Sequence, residues 1–190
     1  MGINGLLINT RSIGKQKHLR DYRGLRAGVD GYSWLHKSLH HCAIDVAINK
    51  DYTKIVSYFE KNVKNFLHHD VQMLIVFDGD RLPLKINTED SRSVNRLKNL
   101  ENATKLYKLK KYEEAARLFG QAIDITPEIA YYVKSKIEAK YSEIKFLVAP
   151  YEADSQLAYL SKKGLIDFVV TEDSDLLTFG AKKMFYKMDK

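Results

Sequence analysis

The sequence predicts an α/β fold: a mostly parallel central sheet with helices on both faces and a helical insert at about residues 85–140. Three observations carry this expectation. Short apolar runs alternate with stretches of helical periodicity along the chain. One run, Val71 to Phe77, is almost continuously apolar, as suits a strand buried on both faces. Between residues 85 and 112 the chain turns polar and basic while keeping helix-forming composition, which interrupts the strand–helix rhythm.

The first strand is expected at residues 25–30, ending in Asp30. A helix follows at 32–48, with Trp34, Leu35, Leu39, Cys42, Ala43 and Val46 at helical spacing. A second amphipathic helix at 52–68 gathers Ile55, Tyr58, Phe59, Val63 and Phe66 on one side. The strand at 71–77 stops at Asp78-Gly79-Asp80. Residues 85–112 are expected as an exposed helical excursion. Two helices follow at 113–123 and 127–140, the second with Thr126 as its cap and Pro127 at its first position. Strands at 144–148 and 166–170 flank a helix at 151–162 that Gly164 ends, and one more strand is expected at 183–187. Tyr112, Ala115, Ala116, Phe119, Ala122, Ile123 and Pro127 imitate a tetratricopeptide repeat. No second copy is present, and a lone repeat cannot bury its own face, so this segment is two helices of one domain.

With 190 residues, 45% of them apolar, the chain makes one domain or most of one and can bury a core. Lys and Arg outnumber Asp and Glu by 31 to 24, a mild bias toward polyanionic partners. One cysteine, Cys42, rules out an internal disulfide framework and a cysteine-based zinc site, and fits a small core residue in a reducing compartment. No stretch has the length and apolarity of a membrane span, and the amino terminus has no signal-peptide layout, so no membrane partner is expected and the expected location is intracellular.

The chemistry lies in where the acids fall. Asp30 follows Ala-Gly-Val, and Asp78 follows Leu-Ile-Val-Phe. Glu152 and Asp154 follow the third apolar run, and Asp173 and Asp175 the fourth. In an open parallel sheet the C-terminal strand ends share one edge, where ligands bind. Six carboxylates from four regions would meet there. So many like charges need neutralising, and oxygen donors suit hard divalent cations such as magnesium or manganese. Metal-assisted phosphodiester hydrolysis is the reaction class this predicts, with Asp78 and Asp173 in catalytic roles. Any single Asp after a strand is more often a turn residue or helix cap; four coincidences at equivalent places argue against that for the set. Asp80, Asp167 and Glu172 are expected as turn or surface acids that support the site from outside.

The basic insert is a second signal. Lys85 and Arg92 are two helical turns apart and face one way, with Arg96 one turn on. A lysine and an arginine over the acids would clamp a scissile phosphate; a solvated helical face is the alternative. Tyr32, two residues past Asp30, would stack on an unpaired base or pack in the core, and His36 lies one turn further. The pairs His40-His41 and His68-His69 are expected on the surface.

Several motifs together resemble the flap endonuclease/XPG superfamily of structure-specific 5′ nucleases. They are Met1-Gly2-Ile3-Asn4-Gly5-Leu6-Leu7, Val76-Phe77-Asp78-Gly79, Pro150-Tyr151-Glu152-Ala153-Asp154 and Thr171-Glu172-Asp173-Ser174-Asp175-Leu176-Leu177. Tyr32 to Lys37 and Ala149 to Leu160 look nearest to its eukaryotic exonuclease-one branch.

The resemblance implies a PIN-like 5′ nuclease core with a helical arch, acting as a 5′→3′ exonuclease on duplex DNA with 5′-flap endonuclease activity, in mismatch repair and end resection in the nucleus. By matching motif positions, Asp30, Asp78, Glu152, Asp154, Asp173 and Asp175 would ligate two Mg2+ ions, for which Mn2+ substitutes. Lys85 and Arg92 match the phosphate-steering pair, Tyr32 the stacking residue, and Gly2 a position that approaches DNA. His36 and Arg96 are further DNA-contact candidates. The expected partners are DNA with a 5′ end, nick, gap or flap, and mismatch-repair proteins reached through regions outside this chain; a monomer is expected. The resemblance also implies a continuation past Lys190 to a seventh carboxylate and a helix-two-turn-helix element, so the chain is expected to be an N-terminal portion, poorly active alone. A flap endonuclease acting mainly on 5′ flaps and a catalytically incomplete DNA-binding fragment are the alternatives.

Overall fold

The computed structural model describes residues 6–80 and 86–186. In chain order the elements are α1 (Leu6–Asn9), β1 (Arg26–Asp30), α2 (Gly31–Ile44), α3 (Thr53–His68), β2 (Gln72–Phe77), α4 (Ile86–Lys108), α5 (Tyr112–Ala122), α6 (Pro127–Glu138), β3 (Lys145–Val148), α7 (Ala153–Lys162), β4 (Phe168–Thr171), α8 (Asp175–Thr178) and β5 (Met184–Tyr186). The strands form one parallel sheet in the order β3-β2-β1-β4-β5. Strand order reverses at β1: β2 and β3 lie on one side of it, β4 and β5 on the other. The C-terminal ends of β1 and β4 therefore flank a topological switch point, the place where open α/β sheets bind ligands.

The chain divides into two compact units. The first comprises residues 1–33, 62–80 and 141–190 and holds the whole sheet. Its central strands are covered on both faces, as the apolar runs predicted: every residue of β1 after Arg26 and all four of β4 are buried. On one face Val76, Val169, Leu157, Ile166 and Leu176 pack together with α7. Gly28 lets α7 approach β1; a Cβ there would collide with Ile166 and Leu157. On the other face the Tyr22 ring lies 4.5 Å from Phe168, and Gly31, the first residue of α2, sits against Phe77 and Ile75.

The second unit comprises residues 34–61 and 81–140 and is helical throughout its described part. Here two expectations are corrected. The segment after residue 85 is one 23-residue helix, α4, and it is not a bare excursion: Ala103 is fully buried with Ala43, Ala115 and Phe119, and Leu106 and Tyr107 pack against them. A contact built on alanines leaves little apolar periodicity to read. The helix expected at 32–48 is not continuous. Cys42 leaves helical geometry at φ −141°, and the chain passes through a wide turn at Asp45–Asn49 that closes on Lys50 with φ 55°. Cys42 itself is buried, as expected, its thiol donating to the Ser38 carbonyl. Thr126 occupies the cap position of α6, but its side chain makes no capping hydrogen bond. Its hydroxyl instead bonds the Glu128 carboxylate and lowers that group's pKa.

Phe168 is fully buried at the centre of the sheet. Phe168→Ala is expected to cost about 3–5 kcal/mol of unfolding free energy, measured by urea denaturation, because the surroundings cannot collapse into the space.

Candidate active site at the carboxylate edge

Register places the six acids at different depths along one edge. Asp30 pairs with Val76 across β1–β2, so it is part of the strand end itself, while Asp78 lies two residues beyond Val76. Val29 pairs with Val170, which sets Asp173 two residues past the level of Asp30. Glu152 and Asp154 follow β3 at the start of α7. All six belong to the first unit.

Two loops of this edge are stitched together by backbone. Gly79 N–H donates to the Tyr151 carbonyl at 2.6 Å, Asp80 N–H to Pro150 at 3.1 Å, and Ala149 N–H to Phe77 at 2.8 Å. The approach is so close that a Cβ on Gly79 would overlap the Ala149 carbonyl oxygen. The seam delivers Asp78 to the N-terminus of α7, where its Oδ1 accepts from Ala153 N–H at 2.7 Å. An exposed helix amide and the positive end of the helix dipole stabilise a carboxylate there.

A second seam joins β1 to β4. Asp30 Oδ1 accepts from Ser33 N–H at 3.1 Å, capping α2, and Oδ2 accepts from the Thr171 hydroxyl at 3.3 Å. Thr171 Oγ1 in turn accepts from Asp173 N–H, and Asp173 Oδ1 from Asp175 N–H, both at 3.0 Å. Three of the six acids thus do serve as caps or turn residues. That role does not compete with convergence; it is how the convergence is held. Thr171 and Gly79 were missed as positioning residues, although both stand inside motifs already singled out.

Five of the six acids act on one another electrostatically. Asp154 is pushed up to about 7, by burial first and then by the charges of Asp30, Asp173, Asp78 and Glu152. Burial and, less strongly, the Asp78 charge likewise push Asp30 up to about 6, against the hydrogen bonds from Ser33 and Thr171. Asp154 therefore feels acids from all four strand ends. The cluster is an oxygen-only donor set whose charges resist coexistence, the chemistry that fits a hard dication. Among the described residues, however, no three acids, histidines or cysteines stand close enough to form a ready-made ion site. Metal binding would have to draw these side chains inward.

The remaining candidates divide between the units. Tyr32, half-buried at the start of α2, sets its ring edge-on to Phe77 at 5.8 Å. His36, Arg92 and Arg96 belong to the second unit. His36 helps line a cleft of about 480 Å3 with Leu39, His40, Glu113, Arg117 and Gln121. Desolvation lowers its pKa, opposed by Asp124 and reinforced by Arg96. Arg96 pairs with Asp124 at 3.4 Å and donates to Ser93. Arg92 is half-buried on α4. Gly2 and Lys85 lie outside the described residues. Asp167 stands outside the site, as expected of a turn or surface acid, and its carboxylate accepts from Arg26 N–H at 2.8 Å at the opposite end of the sheet, so it gives the acid edge no support. His40, His41 and His68 are exposed, as expected, and His69 is half-exposed.

Two family models match the chain: the XPG N-terminal domain over residues 1–99 and the XPG I-region over residues 143–190. The chain belongs to the XPG family. Exodeoxyribonuclease 1 of Schizosaccharomyces pombe is 42% identical to this XPG-family chain over 189 residues, covering 100% of the chain and 33% of the relative. Exonuclease 1 of Danio rerio is 42% identical over 190 residues, covering 100% of the chain and 23% of the relative. The chain thus spans a third or less of the length of these two relatives. The catalytic core of Rad2, solved in complex with DNA substrate, shares the fold at a TM-score of 0.71 and 20% identity, over 98% of this chain and 50% of that one.

Two tests follow from the geometry. Asp30 and Asp154 have folded pKa values above the ordinary 3.8. The stability they contribute is complete below about pH 4 and is lost as pH rises through about 6 and 7. The Tm of metal-free protein is expected to fall over that window, and Asp154→Asn to flatten the fall, by calorimetry across pH. Gly79→Ala is expected to lower Tm by several degrees in the same measurement, because one of the two stitched loops must move.

Proposed function

We propose that this protein is a metal-dependent 5′→3′ exonuclease on double-stranded DNA that also cleaves 5′ flaps. The observation that carries the reading is the meeting of acids from four strand ends around Asp154 at the switch point of a parallel sheet. Family membership and two relatives named as exonucleases support it. Asp30, Asp78, Glu152, Asp154, Asp173 and Asp175 would hold two Mg2+ ions, replaceable by Mn2+. Bound there, the ions supply charge neutralisation and Lewis acidity for phosphodiester hydrolysis.

The chain's own groups have separate tasks. The helical segment from about residue 85 to 140 would act as an arch over the acids, with Lys85 and Arg92 gripping the scissile phosphate and offsetting its developing charge. Tyr32 would stack on the terminal base, its ring already braced by Phe77. His36, Arg96 and the backbone at Gly2 would contact the strand. Thr171 and Ser33 hold Asp30 in orientation. The substrates are DNA with a 5′ end, nick, gap or flap. The protein would act as a monomer in the nucleus, in mismatch repair and end resection, reaching repair proteins through regions outside this chain.

In the full-length protein, Asp173→Ala is expected to abolish Mg2+-dependent cleavage of a 5′-recessed duplex while leaving the circular dichroism spectrum unchanged; full activity in this variant would refute the assignment. Arg92→Ala is expected to lower single-turnover rates by about 100-fold, the scale of losing one donor to developing charge. Comparing rates on a recessed end and on a 5′ flap separates the exonuclease from a flap-preferring enzyme: a much faster flap reaction would favour the latter.

A further inference from the structure

The sheet has a second charged edge, opposite in sign and in position to the first. Helix α7 starts at the acids and runs ten residues, about 15 Å, to Lys162. The loop after it and the loop before β5 come together at the N-terminal ends of β4 and β5. Lys182 N–H donates to Ser161 Oγ at 3.1 Å, and Val169 N–H to the Lys183 carbonyl at 2.9 Å. Lys162 lies against Gly180: a Cβ there would sit 2.9 Å from Lys162 Cε. Lys162, Lys163, Lys182 and Lys183 are thus gathered into one exposed patch. Among the described residues no carboxylate pairs with any of them. The neighbouring acid, Asp167, is taken by Arg26, and Asp70 further along the same edge by Arg23. Beside the lysines stand two exposed apolar groups: Tyr159, 54% exposed with Lys163 Nζ 5.8 Å from its ring centroid, and Leu165, 52% exposed.

We infer that this patch docks an acidic segment of a partner protein that carries apolar anchor residues. Four clustered lysines without counter-charges call for a polyanion, and attract one at long range. The position argues against substrate DNA. The patch faces away from the carboxylate edge, and a duplex lying on that edge could reach it only by bending sharply around the sheet, a costly deformation. An aromatic ring and a leucine beside the charges are suited to side-chain anchors, which a phosphate backbone does not offer. The acid edge takes no part in this surface, so the two can be disabled separately.

The test uses the full-length protein and two fluorescein-labelled 16-residue probes, one of glutamates alone and one in which two glutamates are replaced by Phe and Leu. Anisotropy is read at low salt. The anchored probe is expected to bind at least tenfold tighter than the plain one. The combined variant K162E/K163E/K182E/K183E is expected to weaken the anchored probe at least tenfold. Y159S/L165S is expected to weaken that probe alone and leave the plain one unchanged. Affinity for a 5′-recessed duplex and its cleavage rate are expected to stay within twofold in both variants. Equal binding of the two probes, unchanged binding in the lysine variant, or a parallel loss of duplex affinity would each overturn the inference, the last by making the patch a DNA surface. The peptide measurements stand whether or not the protein cleaves DNA.

Discussion

The structure turns on one repulsion. Six carboxylates from four strand ends are brought to a single edge, and two of them, Asp30 and Asp154, are pushed by burial and by their neighbours toward the neutral acid. A folded chain tolerates such crowding only if something fixes the acids in place and something else offsets their charge. The fixing is done by backbone: ladder register along β1, the Gly79–Tyr151 and Asp80–Pro150 hydrogen bonds between two loops, and the Thr171 bridge between β1 and β4. Part of the offset comes from helix N-termini, at Ser33 for Asp30 and at Ala153 for Asp78. The rest is what a divalent cation would supply.

This arrangement separates two roles that are easily set against each other. An aspartate at a strand end is ordinarily a cap or a turn residue, and Asp30, Asp78 and Asp173 are that. Each uses a carboxylate oxygen on a backbone amide, local for Asp30 and Asp173 and, for Asp78, the Ala153 amide at the start of α7. These bonds fix the backbone of the acids at one edge, so that an ion has only side chains to draw inward. It also accounts for the narrow tolerance at Gly79, where any side chain would push the two loops apart.

Much of the fold was legible in the sequence because its signals are local. The near-continuous apolar run from Val71 to Phe77 became β2, and the strands expected at 25–30, 144–148 and 166–170 became β1, β3 and β4. Helix α3 began within one residue of its expected start and ended where expected. The acid edge was legible for the same reason: a carboxylate after each of several parallel strands must fall on one side. What escaped was non-local or carried by small residues. Ala103 buries α4 against α5 without a bulky side chain to announce it. The break at Cys42 has no proline or glycine to mark it. Thr171 bonds Asp30 across 141 positions of sequence, which no spacing rule reaches. The two faces of charge, acids at one end of the strands and lysines at the other, became visible only once topology showed that α7 connects them.

The most direct measurement is a crystal structure of the full-length protein soaked in manganese, with anomalous maps around the carboxylate edge. Two manganese peaks are expected among Asp30, Asp78, Glu152, Asp154, Asp173 and Asp175, with the acid side chains drawn inward around them. Maps without manganese in this cluster, at concentrations that fill other sites on the protein, would contradict this expectation.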